Sequence, residues 1–180
     1  MKPRDLAICG LFGAAALLLP VVFHALQLGR VFMPMYLPLV ALAFFTRPAA
    51  AALTAFLVPL LSGFVTGMPP FMPPIAPVMA IEIALMALLV GALGSLFPRM
   101  PAWARLAVAL AVGRVVSAAL LYAAARMFDL PAGFVAGISL LSGWPGLVLM
   151  MLVIPTLVRI TGRPGTPLET PPNGKPDDDT

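Results

Sequence analysis

The sequence predicts an all-α integral membrane protein built as a bundle of six transmembrane helices. Hydrophobic residues make up 61% of the 180-residue chain and charged residues only 10%, so the mean hydropathy is strongly positive. The few charges lie almost entirely between long apolar runs, and about 20 apolar residues in a helix cross the hydrocarbon core of a bilayer. This composition restricts the function to something done inside or across a membrane.

We predict one membrane domain over residues 1–160. Its six spans cover residues 6–24, 31–46, 49–66, 76–97, 103–126 and 134–159. The first span resembles a signal peptide because Lys2 and Arg4 precede it, but its apolar stretch is longer than usual and five more follow, so we expect it to be retained. The Pro-rich segment 161–180 ends in consecutive acidic residues and is expected to be a disordered cytoplasmic tail.

Proline and glycine predict irregular backbone at three places. The second span carries Pro34 and Pro38, and an internal proline removes a backbone donor, so a broken or tilted helix is expected there. The sixth contains the turn-like run 142–146. Irregular backbone at membrane depth must be covered by protein or line a cavity, so the outer half of the sixth span is a candidate site. The charge-free loop 67–77 holds five prolines and is either a rigid connector or a lid over a cavity.

The distribution of basic residues predicts that both termini face the cytoplasm. With the N-terminus inside, the inner side carries Lys2, Arg4, Arg47, Arg99, Arg105, Arg159, Arg163 and Lys175. The outer side then carries only Arg30 and Arg126, and cytoplasmic loops are enriched in Lys and Arg. This topology explains the high isoelectric point, so nucleic acid is not expected as a partner.

Two ionisable residues lie inside predicted spans, where a charge should face the bundle interior and find a partner. Glu82 lies in the outer half of the fourth span and Arg114 near the middle of the antiparallel fifth span, so the two side chains can pair. The pair either fixes helix packing or contacts a polar ligand. Because Cys9 and His24 are the only residues of their types, we expect no metal site, cofactor or His-dependent catalytic triad.

Further candidates lie at the outer ends of the spans. His24, Arg30 and Tyr36 either anchor helices at the lipid headgroups or form the polar rim of an outward-facing pocket. Trp144 is either an interfacial aromatic residue or a stacking wall of the same pocket. We take all four as candidate substrate-binding residues together with the Glu–Arg pair.

Small residues on the first span predict a close helix contact. Gly10 and Ala14 are four residues apart, and Gly13 lies beside them. Small side chains at this spacing allow helix backbones to approach closely. The three residues either pack within the fold or form a smooth docking surface for another membrane subunit.

Several segments, taken in order, resemble the substrate-binding S components of energy-coupling factor (ECF) transporters. They are LPVVFHA at 19–25, VFMPMYLP at 31–38, PLLS at 59–62, TGMPP at 66–70, APVMAIE at 76–82, Gly113-Arg114 and Pro145-Gly146. The resemblance covers nearly all of residues 6–160. The combination is more specific than any one of its segments.

This resemblance implies a six-helix subunit in the plasma membrane of a prokaryote that captures a vitamin or related micronutrient at an outward-facing pocket. It also implies a transmembrane coupling subunit and two cytoplasmic ATPase subunits as partners, with transport by toppling of the S component in the membrane. Gly10-x-x-x-Ala14 stands where such proteins usually carry an Ala-x-x-x-Ala coupling motif, and Tyr36 stands where relatives commonly carry His. The chain has no glycine-rich phosphate loop followed by lysine, as expected of a subunit that relies on separate ATPases.

Two other functions remain open from the sequence. A stand-alone secondary transporter would use Glu82 or Arg114 as a proton or ion relay, although the small size and the lack of an internal repeat count against it. A membrane-embedded enzyme would need a nucleophile with a base, or paired metal ligands, at membrane depth. Glu82 and a lone His24 do not make such a set, so we expect a protein that is not an enzyme.

Overall fold

The chain folds into α-helices throughout the part that the structure describes. A computed structural model describes residues 3–25, 34–129 and 143–161. These residues form α1 (Pro3–Ala25), α2 (Tyr36–Leu42), α3 (Pro48–Thr66), α4 (Ile75–Leu96), α5 (Ala102–Met127) and α6 (Trp144–Ile160). Helices α1, α3, α4 and α5 are long and apolar enough to cross a membrane, and α6 is a shorter apolar helix. The all-α prediction is therefore confirmed, and the four long helices indicate a multi-pass membrane protein.

Proline and glycine set several of the helix ends. Pro48 occupies the first turn of α3, where its missing N–H removes no helical hydrogen bond. Gly67 ends α3 in the left-handed region at φ 73°, which glycine adopts without steric cost. Pro145 lies in the first turn of α6, so the described part of the predicted break at 142–146 is the start of that helix.

The second predicted span, 31–46, contains one helix of seven residues in its described part. Helix α2 ends at Leu42, and the chain continues in turns in which the Phe44 and Phe45 N–H groups donate to carbonyls three residues earlier, at 3.0 and 2.9 Å. Pro38 lies in the first turn of α2, where proline is tolerated. At 1.5 Å per residue, α2 is roughly 10 Å long and does not cross a bilayer by itself.

Helix α2 lies at the centre of the bundle. Residues 39–42 are completely buried, and α2 contacts α1, α3, α4 and α6. The turn after α2 packs on α1, because the Phe45 ring stacks on Phe12 with centroids 5.5 Å apart. A helix buried on all sides is apolar on all sides, so its sequence reads like that of a membrane span.

Contacts at glycine positions show how the long helices run. Gly63 near the end of α3 lies against Ala76 near the start of α4, and Gly91 late in α4 lies against Pro48 at the start of α3. Helices α3 and α4 are therefore antiparallel. Helix α5 returns beside α4 after the short turn at 97–101.

Helix α1 runs parallel to α3 at the edge of the bundle. The Cys9 Sγ lies 4.0 Å from the Ala50 carbonyl oxygen, and further along both helices Gly13 lies against Thr54 and Val58. Only 17% of the apolar stretch of α1 is buried, whereas 44% of that of α4 is buried. Helix α1 is therefore the most peripheral of the four long helices.

The two ends of the bundle differ in charge. We call the end at which α1, α3 and α5 begin the basic end; it carries Arg4, Arg47, Arg99 and Arg105. We call the opposite end, where residues 67–74 connect α3 to α4, the loop end. Among the described residues there, the basic side chain is Arg126 in the last turn of α5. The predicted tail 161–180 lies, apart from Thr161, outside the described residues.

Candidate functional site

A buried polar cluster lies where α2, α4 and α5 meet. The Tyr36 hydroxyl donates a hydrogen bond of 2.6 Å to Glu82 Oε2, and Arg114 Nη2 lies 3.3 Å from Glu82 Oε1. The Arg114 guanidinium also lies over the Tyr36 ring, 5.4 Å from its centroid. The ion pair expected between Glu82 and Arg114 is therefore present, and Tyr36 contacts both partners. We call these three residues the Tyr–Glu–Arg cluster.

The backbone brings each member of the cluster to the same level of the bundle. Tyr36 is the first residue of α2, and Glu82 lies seven residues after the start of α4, roughly 10 Å along its axis. Helices α4 and α5 approach closely here, because a Cβ on Gly113 would overlap the side chain of Met86. Glycine at this position allows the neighbouring Arg114 to reach the carboxylate across the interface.

The cluster is shielded from the surroundings to different degrees. Glu82 is 2% exposed and Tyr36 5%, whereas the Arg114 side chain keeps 19% exposure. Ser117, one turn after Arg114 on α5, is also buried and lies close enough to interact with the Glu82 carboxyl. Burial of a carboxylate costs free energy unless the group is paired with a charge and hydrogen-bonded. Arg114 supplies the opposite charge and Tyr36 donates a hydrogen bond.

One oxygen of the buried carboxylate retains capacity for a further hydrogen bond. Glu82 Oε1 lies in ion-pair range of Arg114 but accepts no hydrogen bond within residues 3–25, 34–129 and 143–161. The cluster therefore holds a buried acceptor at Glu82 Oε1 beside a guanidinium that keeps 19% exposure, and the two groups carry opposite formal charges.

The described residues do not form a metal-binding group. No three His, Cys, Asp or Glu side chains lie close enough together to hold a metal ion in the part of the chain that the structure describes. The cluster instead consists of one carboxylate, one phenol and one guanidinium. These groups suit hydrogen bonding and ion pairing with a ligand.

The six predicted pocket residues fall into three groups. Tyr36, Glu82 and Arg114 come together in the Tyr–Glu–Arg cluster. Trp144 lies on α6 with 64% of its surface exposed, so it does not line the cluster as the sequence allowed. The buried residues of α6 recur at 146, 150 and 154, so a residue two positions before 146 points away from the bundle. Arg30 and the His24 side chain lie outside the described part of the chain, and their roles stay predictions.

The small residues of α1 divide between two faces. A Cβ on Gly13 would lie 3.5 Å from Val58 Cγ2, so Gly13 packs against α3 and does not belong to an outer surface. Gly10 and Ala14 are exposed, and a Cβ on Gly10 would meet nothing within 4 Å. The candidate docking surface therefore consists of Gly10 and Ala14 without Gly13.

Ser117 is a site residue that the sequence pattern did not indicate. A signal for it was present, because residues three apart on a helix share a face and Ser117 follows Arg114 at that spacing. Tyr36 was predicted as part of a pocket rim, but its contact with Glu82 joins residues 46 positions apart. The periodicity of a helix or a strand relates residues only a few positions apart, so it does not predict a contact over this distance in the sequence.

Comparison of the chain with known proteins gives no relative whose function could be compared with the cluster. No family model, no curated protein and no solved structure matches it. The Tyr–Glu–Arg cluster and the segments that resemble S components are therefore the features of this chain that point to a function.

Proposed function

We propose that this chain is the substrate-capturing membrane subunit of an ECF-type importer and binds a vitamin or related micronutrient from outside a prokaryotic cell. A transmembrane coupling subunit and two ATPase subunits supply the energy in this proposal. The Tyr–Glu–Arg cluster is the observation that carries it, because ionisable groups buried within membrane spans are costly and mark sites for polar ligands or ions.

The position of the cluster supports an outward-facing site. Tyr36 begins α2, and Glu82 lies in the half of α4 nearer the loop end. Basic residues collect at the opposite end of the bundle, and basic loops stay in the cytoplasm. With the basic end inside, the cluster lies in the outer half of the membrane, where a capturing subunit needs its ligand site.

The chemistry of the cluster supports a small ligand of low net charge. Arg114 is the most accessible member and would donate to an acceptor on the ligand, while the buried Glu82 Oε1 would accept from a neighbouring ligand donor once binding opens a path to it. Since the formal charges of Glu82 and Arg114 cancel, the cluster does not demand a charged ligand. An amide, or a ring nitrogen beside a carbonyl, offers such a donor and acceptor pair.

The exposed face of α1 supports a role in assembly. Gly10 and Ala14 lie on the least buried of the long helices, where the partner helix of another subunit could approach closely. In the proposed function this surface, which we call the α1 small-residue face, contacts the coupling subunit.

Recovery of a tagged chain from its own cells in mild detergent tests the proposal. We expect a coupling subunit and ATPases to be recovered with it, and uptake into liposomes to require those partners and ATP. Concentrative uptake by the purified chain alone, driven by an ion gradient, would instead establish a secondary transporter in which Glu82 serves as relay. Recovery of a folded chain without any ATPase would also contradict the proposal.

A further inference from the structure

The connection between α3 and α4 presents an apolar surface that the proposed function does not use. Residues 67–74 read GMPPFMPP, and the side chains of Met68, Phe71 and Met72 are 56%, 42% and 68% exposed. The sequence contains no ionisable residue between Arg47 and Glu82. We propose that the 67–74 loop inserts into the hydrocarbon of the adjacent leaflet, with lipid acyl chains covering these three side chains.

The loop is held against the helix ends, so its exposed side chains cannot simply fold inward. The Ser62 hydroxyl donates a hydrogen bond of 2.7 Å to the Met68 carbonyl oxygen. A Cβ on Gly63 would lie 2.6 Å from the Pro69 carbonyl oxygen, so the loop backbone rests directly on the last turns of α3. Exposure of the apolar side chains is therefore a consequence of how the loop is packed.

The loop backbone has few N–H groups that would need a partner in an apolar environment. Irregular backbone is costly in hydrocarbon because each unsatisfied N–H or C=O group loses its hydrogen bonds to water. Pro69, Pro70, Pro73 and Pro74 have no N–H group, and the N–H groups of Gly67 and Met68 donate to Gly63 O and Thr66 Oγ1. Only the N–H groups of Phe71 and Met72 are left without an acceptor among the described residues of the loop and its surroundings. The carbonyl groups that accept hydrogen bonds are those of Met68, Pro70, Pro73 and Pro74.

The exposed loop surface continues the lipid-facing surface of α3. Leu57, Leu61 and Phe64 are 51%, 51% and 84% exposed at helical spacing on α3, and the exposed Met68 comes two residues after the end of the helix. Helix α3 is long and apolar enough to span the membrane, so this stripe faces acyl chains. The loop extends the stripe without a charged residue that would hold it at the headgroups.

The turn at the other end of α4 provides the contrast. Residues 97–101 also contain two prolines and an exposed Phe97, but they include the exposed Arg99. A guanidinium prefers the headgroups or water, so this turn should stay outside the hydrocarbon. The two turns are therefore expected to lie in different environments although both are short and rich in proline.

Site-directed spin labelling tests the proposal on the whole chain. Cys9 is the only cysteine, so Cys9→Ala gives a background in which Met72→Cys carries a single nitroxide. Phe64→Cys on α3 serves as the hydrocarbon reference and Arg99→Cys as the aqueous reference. In phosphatidylcholine nanodiscs, we expect collisions with oxygen at position 72 to exceed those with a water-soluble nickel chelate several-fold, as at position 64.

A label at position 72 that collides with the nickel chelate as often as the label at position 99 overturns the proposal and leaves the loop as an aqueous connector or lid. If Met72→Cys does not fold, Met68→Cys supplies the same comparison, because Met68 is also more than half exposed. The measurement needs no ligand and no partner subunit, so its outcome does not depend on the proposed function.

Discussion

Helices α1 and α2 are both apolar, yet they lie in opposite surroundings. Helix α1 leaves most of its apolar stretch outside the bundle, whereas residues 39–42 of α2 are completely buried. Hydropathy reports that a segment avoids water but not whether lipid or protein replaces the water. In this molecule the difference separates two roles, because α2 contributes Tyr36 to the buried cluster and α1 carries the exposed Gly10 and Ala14.

This contrast has a measurable consequence. A substitution inside the cluster or between α3 and α4 should lower the stability of the isolated chain, because other parts of the same chain surround it. A substitution on the α1 small-residue face should leave stability unchanged and affect only contacts with a partner. Substitutions at four positions, Glu82, Gly91, Tyr36 and Gly10, test this separation.

Loss of the Glu82 carboxylate should have the largest effect. Glu82→Leu removes the charge partner of Arg114 from a buried site, and breaking a buried ion pair costs about 3–5 kcal/mol. Thermal unfolding of the purified chain in detergent measures the loss. The double variant Glu82→Leu/Arg114→Leu, in which neither charge is left alone, should recover a large part of it; a Glu82→Leu variant as stable as the parent would contradict a structural pairing.

A methyl group added at Gly91 should have the next largest effect. A Cβ there would lie 2.6 Å from Pro48 Cγ and 3.1 Å from its Cα, and overpacking of this kind costs about 1–3 kcal/mol. Gly10→Ala is the matched control, because a Cβ at Gly10 meets nothing within 4 Å. Equal unfolding temperatures for the two variants would contradict the close packing of Gly91 against Pro48 and the open surroundings of Gly10.

Removal of the Tyr36 hydroxyl should have a smaller effect. Tyr36→Phe deletes one hydrogen bond to Glu82 but keeps the ring beneath the Arg114 guanidinium, so a loss of about 1–2 kcal/mol is expected. Binding of the cargo should weaken as well, because the carboxylate is then held by fewer partners. A variant with unchanged stability and unchanged binding would exclude Tyr36 from the site.

Bulk on the α1 small-residue face should not change the stability of the isolated chain. Gly10→Leu adds a side chain that lies outside the bundle, so folding and cargo binding should match the parent. Recovery of the proposed coupling subunit should fall sharply with Gly10→Leu, because close helix contact requires small residues, and it should fall less with Gly10→Ala. Normal recovery with Gly10→Leu would place the subunit contact elsewhere.

The ends of α3, α4 and α5 lie within one residue of the predicted spans 49–66, 76–97 and 103–126. This agreement has a local cause, because Pro48 and Gly67 mark the ends of α3 and Arg99 lies in the turn between α4 and α5. Helix ends of this kind depend on a few neighbouring residues. They can therefore be predicted from the sequence without knowledge of the fold.

The parts that could not be predicted depend on contacts between distant residues. The burial of α2, the position of Gly13 against α3 and the outward direction of Trp144 each follow from which helix lies next to which. Arg105 shows the same effect, because it was expected only as an inner-side charge but lies over the Phe44 ring at 5.5 Å. A single sequence shows that such a residue is polar, but it does not show which residues contact it in the fold.

Identification of the small molecule that stays with the purified chain decides whether Glu82 belongs to a ligand-binding site. Mass spectrometry would compare the parent with Glu82→Gln, which keeps the size of the side chain, and with Ser95→Ala, which changes an exposed serine far along α4. We expect one vitamin-like compound with the parent and with Ser95→Ala, and its loss from folded Glu82→Gln. Equal retention by Glu82→Gln, or a folded parent that retains no small molecule when purified in the presence of vitamins, would contradict this assignment.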